Sequence, residues 1–405
     1  MKVGIVGGGI GGLALALSLH QRGIASTVYE AAGQVREIGV GITLLPHAMR
    51  ELAALGVQPQ LEALGIENLE SVFFNRWGQF IYREPRGRHA GYELPEIGIH
   101  RGKLHRVLYE AACERLGAQA ILLDHRCTGV EQDDGGATLR FEGREAARAD
   151  VVVACDGVNS AVRSQFYPDE ALAFTGINTW RGVGVHRPIL TGKSYLRIGS
   201  IDTGKMVIYP IVDDVDGQGN QLVNWVAEMR QDVRERNDWN RPGRLDDFLP
   251  IFAGWRFDWL DVPGLIRGAQ SIFEYPMVDK DPVARWTFGR VTLLGDAAHP
   301  MYPRGSNGSA QALIDARVLA DLLAAAADPR QALVDYERER LEPTARIVET
   351  NRTVPPDFII MKADELSGGR PFAGTIDDLV SQDELRRISD DYKRVAGFAL
   401  DKPVS

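Results

Sequence analysis

Apolar and polar positions along this chain fall into two regimes. In the first, short continuous apolar runs alternate with Ala/Leu-rich stretches. Lys2 to Val6 is one such run, as expected of a strand buried on both faces. Leu13 to His20 continues as a helix, and Ser26-Thr-Val-Tyr-Glu30 reads as a second strand closing on an acid. A glycine-punctuated loop from Gln34 runs into a short strand before Pro46-His47, and Ala48 to Leu55 reads as a helix. Leu69 to Tyr82, interrupted at Trp77-Gly78, predicts a β-hairpin. Ile99 to Leu104 opens a helix that reaches about Leu116. Ala120 to Leu123, Cys127 to Gln132 and Ala137 to Glu142 predict strands, the last two joined by the turn Asp133-Asp-Gly-Gly136. Ala149 to Ala154 is a further buried strand.

In the second regime, from Phe174 to Tyr275, strand-like pieces follow one another: Thr179 to Val185, Ser194 to Ile198, Met206 to Ile211 and Leu222 to Glu228. One helix, near Leu245 to Ala253, interrupts them. This block predicts a separate antiparallel sheet carrying the substrate side. The first regime returns with the strand before Gly295-Asp296, and the loop Met301 to Asn307 leads into an apolar helix, Ser309 to Ala327. Asp335 to Thr350 reads as an amphipathic helix, Pro355-Pro356 as a break, and Asp377 to Phe398 as an amphipathic tail that packs on the first domain or on a second subunit. The expected fold is α/β, with a Rossmann-like domain built from residues 1–75, 100–170 and 280–350. It is interleaved with a mainly antiparallel β-sheet substrate domain (76–99 and 171–279) and followed by a C-terminal helical tail (351–405).

Gly7, Gly9 and Gly12 stand in G-x-G-x-x-G spacing between the first strand and its helix. Each has a reason: a tight turn, close approach of a pyrophosphate, and close packing of helix on strand. The helix N-terminus offers free N–H groups to phosphates. Glu30, at the end of the second strand, stands where a ribose hydroxyl would be held. Together these predict a dinucleotide site.

Composition narrows the partners. Of 405 residues, 44% are hydrophobic and 25% charged, ordinary for a globular protein. A net charge of −9 argues against nucleic acid, yet a few local arginines could still receive a small anion. Cys113, Cys127 and Cys155 form no C-x-x-C pair, so neither a dithiol centre nor a metal site is expected, and a reducing cytosol fits. The early first strand leaves no signal peptide expected, and no apolar run reaches membrane-spanning length. The expectation is a cytoplasmic protein, monomer or homodimer, with no membrane partner.

Three motifs in order carry a resemblance: the fingerprint at Gly7 to Gly12, Asp156-Gly157 with Ser160 and Arg163, and Gly295-Asp296 with Pro303 and Gly305. The chain resembles the single-component FAD-dependent aromatic hydroxylases. It looks most like the branch holding 5-methylphenazine-1-carboxylate 1-monooxygenase, salicylate hydroxylase and 6-hydroxynicotinate 3-monooxygenase. Trp180-Arg-Gly-Val183, Tyr275-Pro-Met-Val-Asp279 and Leu293-Leu-Gly-Asp-Ala-Ala-His299 are particularly similar to the phenazine enzyme. The likeness runs from residue 1 to about 350 and implies the FAD domain of the p-hydroxybenzoate hydroxylase type.

The resemblance implies that Glu30 holds the adenosine ribose and that Arg101 reaches the pyrophosphate or ribityl region, where a fixed guanidinium is well matched. A surface salt bridge is the alternative for Arg101. Asp296 would accept from a ribityl hydroxyl, cap the following turn, or do both. Backbone N–H groups of Gly305, Ser306, Asn307 and Gly308 would face the flavin pyrimidine edge, where charge collects on reduction. Asp156 and Arg163 would touch FAD and the nicotinamide cofactor, or else form a tight turn in which Arg163 pairs with Asp156. With no second glycine fingerprint, NADH or NADPH would dock transiently.

The implied reaction takes hydride from NAD(P)H, adds O2 at flavin C4a to give the hydroperoxide, and hydroxylates a phenolic, N-heteroaromatic or phenazine-type carboxylic acid. The protein supplies position and exclusion of water. Pro303 would shape the face beneath the flavin without offering an N–H. His47 would deprotonate a phenol, with a pKa suited to neutrality, or simply cap its helix. Tyr209 would hydrogen-bond a substrate oxygen or pack in the core. Arg181 is left open between a substrate carboxylate and a fold salt bridge. His299 reads as structural, and Cys155 as a small buried hydrophobe. The competing functions are a flavin-binding redox sensor and a non-oxygenating FAD reductase. The W-x-W-x-I-P segment of the flavin halogenases has no match.

Overall fold

The computed structural model describes residues 1–37, 39–231 and 241–400. Ile38 of the glycine-punctuated loop, 232–240 of the middle block and the last residues of the tail, 401–405, lie outside the described residues. Five parallel strands form the first sheet, in the order Val291–Leu293, Val151–Ala154, Lys2–Val6, Ala25–Tyr29 and Ile121–Leu122. Their apolar runs are buried because helices cover them: Ile10–Gln21 and Gly308–Ala325 pack into one core with Val3, Ile5 and Val151 to Ala154.

The second regime forms a seven-stranded sheet ordered Ala269–Asp279, Ala173–His186, Gln221–Arg230, Lys205–Val212, Ser194–Ile198, Glu70–Phe74 and Phe80–Pro85. Every pairing is antiparallel except Ser194–Ile198 with Glu70–Phe74, which is parallel. Residues 70–74, grouped by the sequence with the nucleotide-binding part, thus sit in the seven-stranded sheet. Residues 97–99, grouped with the substrate part, belong instead to the strand Ile97–His100, which pairs with Gly41–Leu44 in a small three-stranded sheet.

The two faces of the large sheet differ. Trp180 and Trp225 lie on the outer face with Met206 and Ile208, covered by the helix Leu245–Phe252; Trp180 stacks on Phe248 at 4.9 Å. Both tryptophans are core, not pocket. The inner face carries Val183, Tyr195, Val207, Tyr209 and Val226, and packs under Val40. A strand missing from the sequence reading, Arg144–Ala149, completes a three-stranded sheet with Cys127–Asp133 and Gly136–Phe141. The tail packs Ile359, Ile360 and Leu385 against Phe73, Ile81 and Tyr82. Among the described residues, no helix is long and apolar enough to cross a membrane.

Candidate active site

The first strand ends in a turn whose geometry explains two of its glycines. A Cβ on Gly12 would stand 2.0 Å from the Gly7 carbonyl oxygen. Gly9 is the N-cap of the helix Ile10–Gln21, which has no side-chain cap, and a Cβ there would meet no protein atom within 4 Å. The Glu30 carboxylate is held at the strand end, where Oε2 accepts the Gly8 N–H at 2.6 Å and Oε1 the Ala32 N–H at 2.8 Å.

The strand Val151–Ala154 delivers Asp156 beside this turn. Burial raises the Asp156 carboxyl above its ordinary pKa, against hydrogen bonds from Ser160 and the backbone of 161–162. Its Oδ1 is buried without a partner. Arg163 does not pair with Asp156. It is fully buried and donates to both oxygens of Glu170, to the carbonyls of Ala297 and Ala298 at 2.9 and 2.7 Å, and to that of Asp281 at 3.4 Å. All its N–H groups are used, so the expected contact with FAD and nicotinamide is corrected. Arg163 holds the Gly295–Ala298 turn, where Asp296 stands exposed with its Oδ1 at 3.8 Å from the Cβ position of Gly308.

The helix Gly308–Ala325 starts at Asn307, again without a side-chain cap. Its first turn meets the first helix at Gly11, whose Cβ position lies 3.4 Å from Ala312 Cβ. Two helix N-termini therefore converge. The turn below is braced by Asp315, which accepts from His299 Nε2 at 2.6 Å, Arg340 Nε at 2.7 Å and the Gly295 N–H at 3.2 Å. His299 is structural, as expected.

The loop Pro303–Asn307 is held from two sides. Pro303 is exposed. Arg304 is buried and donates to Asp357 at 3.2 Å. Asp357 pairs in turn with Lys205 at 2.9 Å, and Lys205 with Glu228 at 2.9 Å, so a buried charge chain runs from this loop into the seven-stranded sheet. Burial alone would raise the Asp357 carboxyl, but Lys205 and Arg304 outweigh it and keep it ionised. On the other side, Asn307 Nδ2 donates to the Gly305 carbonyl at 3.1 Å and to the Tyr392 hydroxyl at 2.9 Å. Its Oδ1 then accepts from His47 Nε2 at 3.1 Å.

His47 contradicts the expected neutral pKa. It is buried, stacked on Phe398 with ring centroids 4.6 Å apart, and burial pushes its pKa down to about 3 against the hydrogen bond to Asn307. Nor does it cap the helix Pro46–Ala54, which has no side-chain cap. With Nε2–H committed to Asn307, the imidazole stays neutral and positions the loop. Tyr392 and Phe398 were missed as site residues: their place depends on a tail that returns over the domain junction, and no local pattern marks it.

Tyr209 is buried on the inner sheet face, stacked on Tyr195 at 5.0 Å and facing Thr43, and burial keeps its phenol protonated far above the usual range. Arg101 begins the helix Arg101–Leu116, is exposed, and has no carboxylate partner among the described residues; its expected alternative, a surface salt bridge, is not formed. Its charge, with that of Arg181, acts on the Tyr275 phenol.

These features fit a dinucleotide cofactor. Two uncapped helix starts, an unhindered Gly9, an exposed Asp296 and an unpartnered Asp156 oxygen offer donors and acceptors spread along one edge of the parallel sheet. The chain belongs to the FAD binding domain family, which it matches over residues 1–241 and 268–351. It is an FAD-dependent monooxygenase of the aromatic hydroxylase kind. It is 41% identical over 365 residues to the phenazine 1,6-dicarboxylic acid hydroxylase of Lysobacter antibioticus, covering 86% of this chain and 88% of that one. With the 3-amino-4-hydroxybenzoate 2-monooxygenase of Streptomyces platensis it shares 36% over 358 residues, covering 87% and 86%. The fold is that of Klebsiella pneumoniae HpxO, solved with FAD and uric acid, at a TM-score of 0.77 and 23% identity over 98% of this chain and 96% of that one.

Proposed function

We propose that this protein hydroxylates an aromatic carboxylic acid of the phenolic, N-heteroaromatic or phenazine type, using O2 and NADH or NADPH in a reducing cytoplasm. The observation that carries the reading is the charge chain Arg304–Asp357–Lys205–Glu228, which fixes the start of the Gly308–Ala325 helix against the substrate sheet. The names of the relatives, a phenazine dicarboxylic acid hydroxylase and an aminohydroxybenzoate monooxygenase, support the substrate class. FAD, when bound, accepts hydride from the nicotinamide and activates oxygen.

The chain's own residues do the rest. Gly7, Gly9 and Gly12 shape the pyrophosphate turn, Glu30 accepts from the ribose, and Arg101, Asp156 and Asp296 line the path between. Backbone N–H groups at Gly305, Asn307 and Gly308 present a positive helix end to the pyrimidine edge. Pro303 limits that face. Tyr209 donates a hydrogen bond from a phenol that stays protonated at working pH. The apolar inner face, with Val183, Val207 and Val226, excludes water.

The test is NADH and NADPH oxidation by the FAD-loaded protein with a panel of phenolic, pyridine and phenazine acids, scoring peroxide alongside. Stimulation several-fold by one class with little peroxide is the expected result. Oxidation that no acid stimulates would remove the hydroxylase reading and favour a reductase or sensor.

His47 gives a second expectation. Its folded pKa lies below the unfolded value of about 6.5, so between pH 6.5 and 3 the unfolded chain binds more protons. The contribution is present above pH 6.5 and lost as pH falls toward 3. His47→Gln should flatten the loss of unfolding free energy between pH 7 and 5 relative to the parent, by up to about one proton in slope, while any acidic limb of the rate profile stays where it was. Urea unfolding at both pH values reads the first, and kcat against pH the second.

A further inference from the structure

On the inner face of the seven-stranded sheet, Arg181 has neither an ion-pair partner nor a side-chain hydrogen bond among the described residues. Arg181 is half-buried at the middle of the strand Ala173–His186, and its cross-strand neighbours are Val226 and Phe273. Its Nε is buried with no hydrogen-bond partner, and its guanidinium carbon lies 5.6 Å from the centroid of the Tyr275 ring. No carboxylate reaches it among the described residues. Other buried cations of this protein are treated differently: Lys205 has Glu228 and Asp357, Arg163 has Glu170, and Arg197 donates to Ser71 Oγ at 2.5 Å.

Asn224 stands on the same face, one diagonal step away, because Val183 is its cross-strand partner as Val226 is that of Arg181. It is fully buried. Its Oδ1 accepts the Gly41 N–H at 2.7 Å, and this contact ties the sheet to the strand Gly41–Leu44; its Nδ2 is left unpartnered. Two unpartnered donors, Arg181 Nε and Asn224 Nδ2, therefore stand near each other on this face. An unsatisfied donor there is costly, and a guanidinium fork is matched in shape and charge by two coplanar oxygens.

We propose that Arg181, assisted by Asn224 Nδ2, receives the carboxylate of the aromatic substrate. The acid group is then held on the sheet, the ring lies along Tyr275 and Phe273, and the ring carbon to be oxygenated points away toward the junction with the FAD domain. This rests on the hydroxylase reading above and deepens it, since the substrate becomes an anion recognised through one carboxylate and not through its phenol.

The experiment compares 3-hydroxybenzoate, 6-hydroxynicotinate, 3-amino-4-hydroxybenzoate and phenazine-1,6-dicarboxylate with their carboxamides, in the parent, Arg181→Gln and Arg181→Lys. The readouts are KM in NADH oxidation and Kd by calorimetry, with flavin content as the check on folding. For the acid that stimulates the parent, Arg181→Gln should raise KM and Kd by about 10- to 100-fold. The matching amide should move by less than about twofold, so that the preference for acid over amide collapses. Arg181→Lys, which keeps the charge and loses the fork, should fall between. Equal weakening of acid and amide, an unchanged Kd for the acid, or a shift confined to KM for NADPH would overturn the proposal. If no acid stimulates the parent protein, the hydroxylase reading itself fails, an outcome separate from an Arg181 variant that keeps its preference.

Discussion

Gly12→Ala should abolish the folded protein, whereas Gly9→Ala should leave the fold and remove the cofactor. The Cβ at residue 12 would stand 2.0 Å from the Gly7 carbonyl oxygen, and that oxygen belongs to a turn whose Gly7 N–H is bound to Tyr29 O at 2.8 Å. Neither strand nor helix can move without opening the core around Leu13 to Leu19, so the cost is of the exceptional class above about 4 kcal/mol. At Gly9 the added methyl meets no protein atom within 4 Å. Apo-protein stability should fall by only about 1 kcal/mol, the usual preference of an N-cap for glycine over alanine. FAD affinity should nonetheless drop sharply, because the methyl stands where a pyrophosphate approaches the helix start. Soluble yield, thermal unfolding of the apo form and FAD titration separate the two. Gly9→Ala protein that binds FAD as tightly as the parent would remove the pyrophosphate from this turn.

Gly305→Ala is expected to be the next most damaging change, and Tyr392→Ala to repair part of it. At residue 305, φ is +81° and the Cβ would lie 1.9 Å from the Tyr392 hydroxyl. The backbone conformation alone costs about 1–2 kcal/mol for a residue with a side chain. The clash adds to this by expelling the tail helix Gln382–Val395, which supplies the hydroxyl that Asn307 Nδ2 bonds and which itself bonds Asn351 Oδ1 at 2.8 Å. Loss of FAD and faster proteolysis of the tail should appear together. In the double variant the clash is gone and the strain remains, so FAD binding recovers partly, and the two effects are non-additive. Strict additivity would show that loop and tail do not touch in solution.

The parts legible in the sequence were those decided locally. The glycine spacing between an apolar strand and a helix reports a turn that neighbouring residues alone determine, and the run of strand-like pieces in the middle block reports a separate antiparallel sheet. What stayed hidden depended on partners far along the chain. Arg163 has Asp156 seven residues away in sequence, yet its carboxylate partner is Glu170, seven residues on the other side beyond the helix, while Asp156 accepts from the backbone of Val162. His47 looks like a titrating histidine until Asn307 and Phe398 enclose it. Arg144–Ala149 was overlooked because charged residues at an edge hide the strand pattern. Trp180 and Arg181 are adjacent, and only the pleat shows that one faces the outer core and the other the inner face of the sheet.

The Asn307 loop also dates the closure of the site in the life of the chain. Its two restraints, Asp357 and Tyr392, are made after everything else that touches it, and the distant helix with His47 is made long before. At a synthesis rate of about 5–20 residues per second, the ribosome has been at work for tens of seconds before Tyr392 exists. Until then the fingerprint at Gly7 to Gly12 can form, but the opposite end of the FAD site cannot close. Closure of this end of the site therefore comes late in synthesis, because it waits for residues 357–398 to be made.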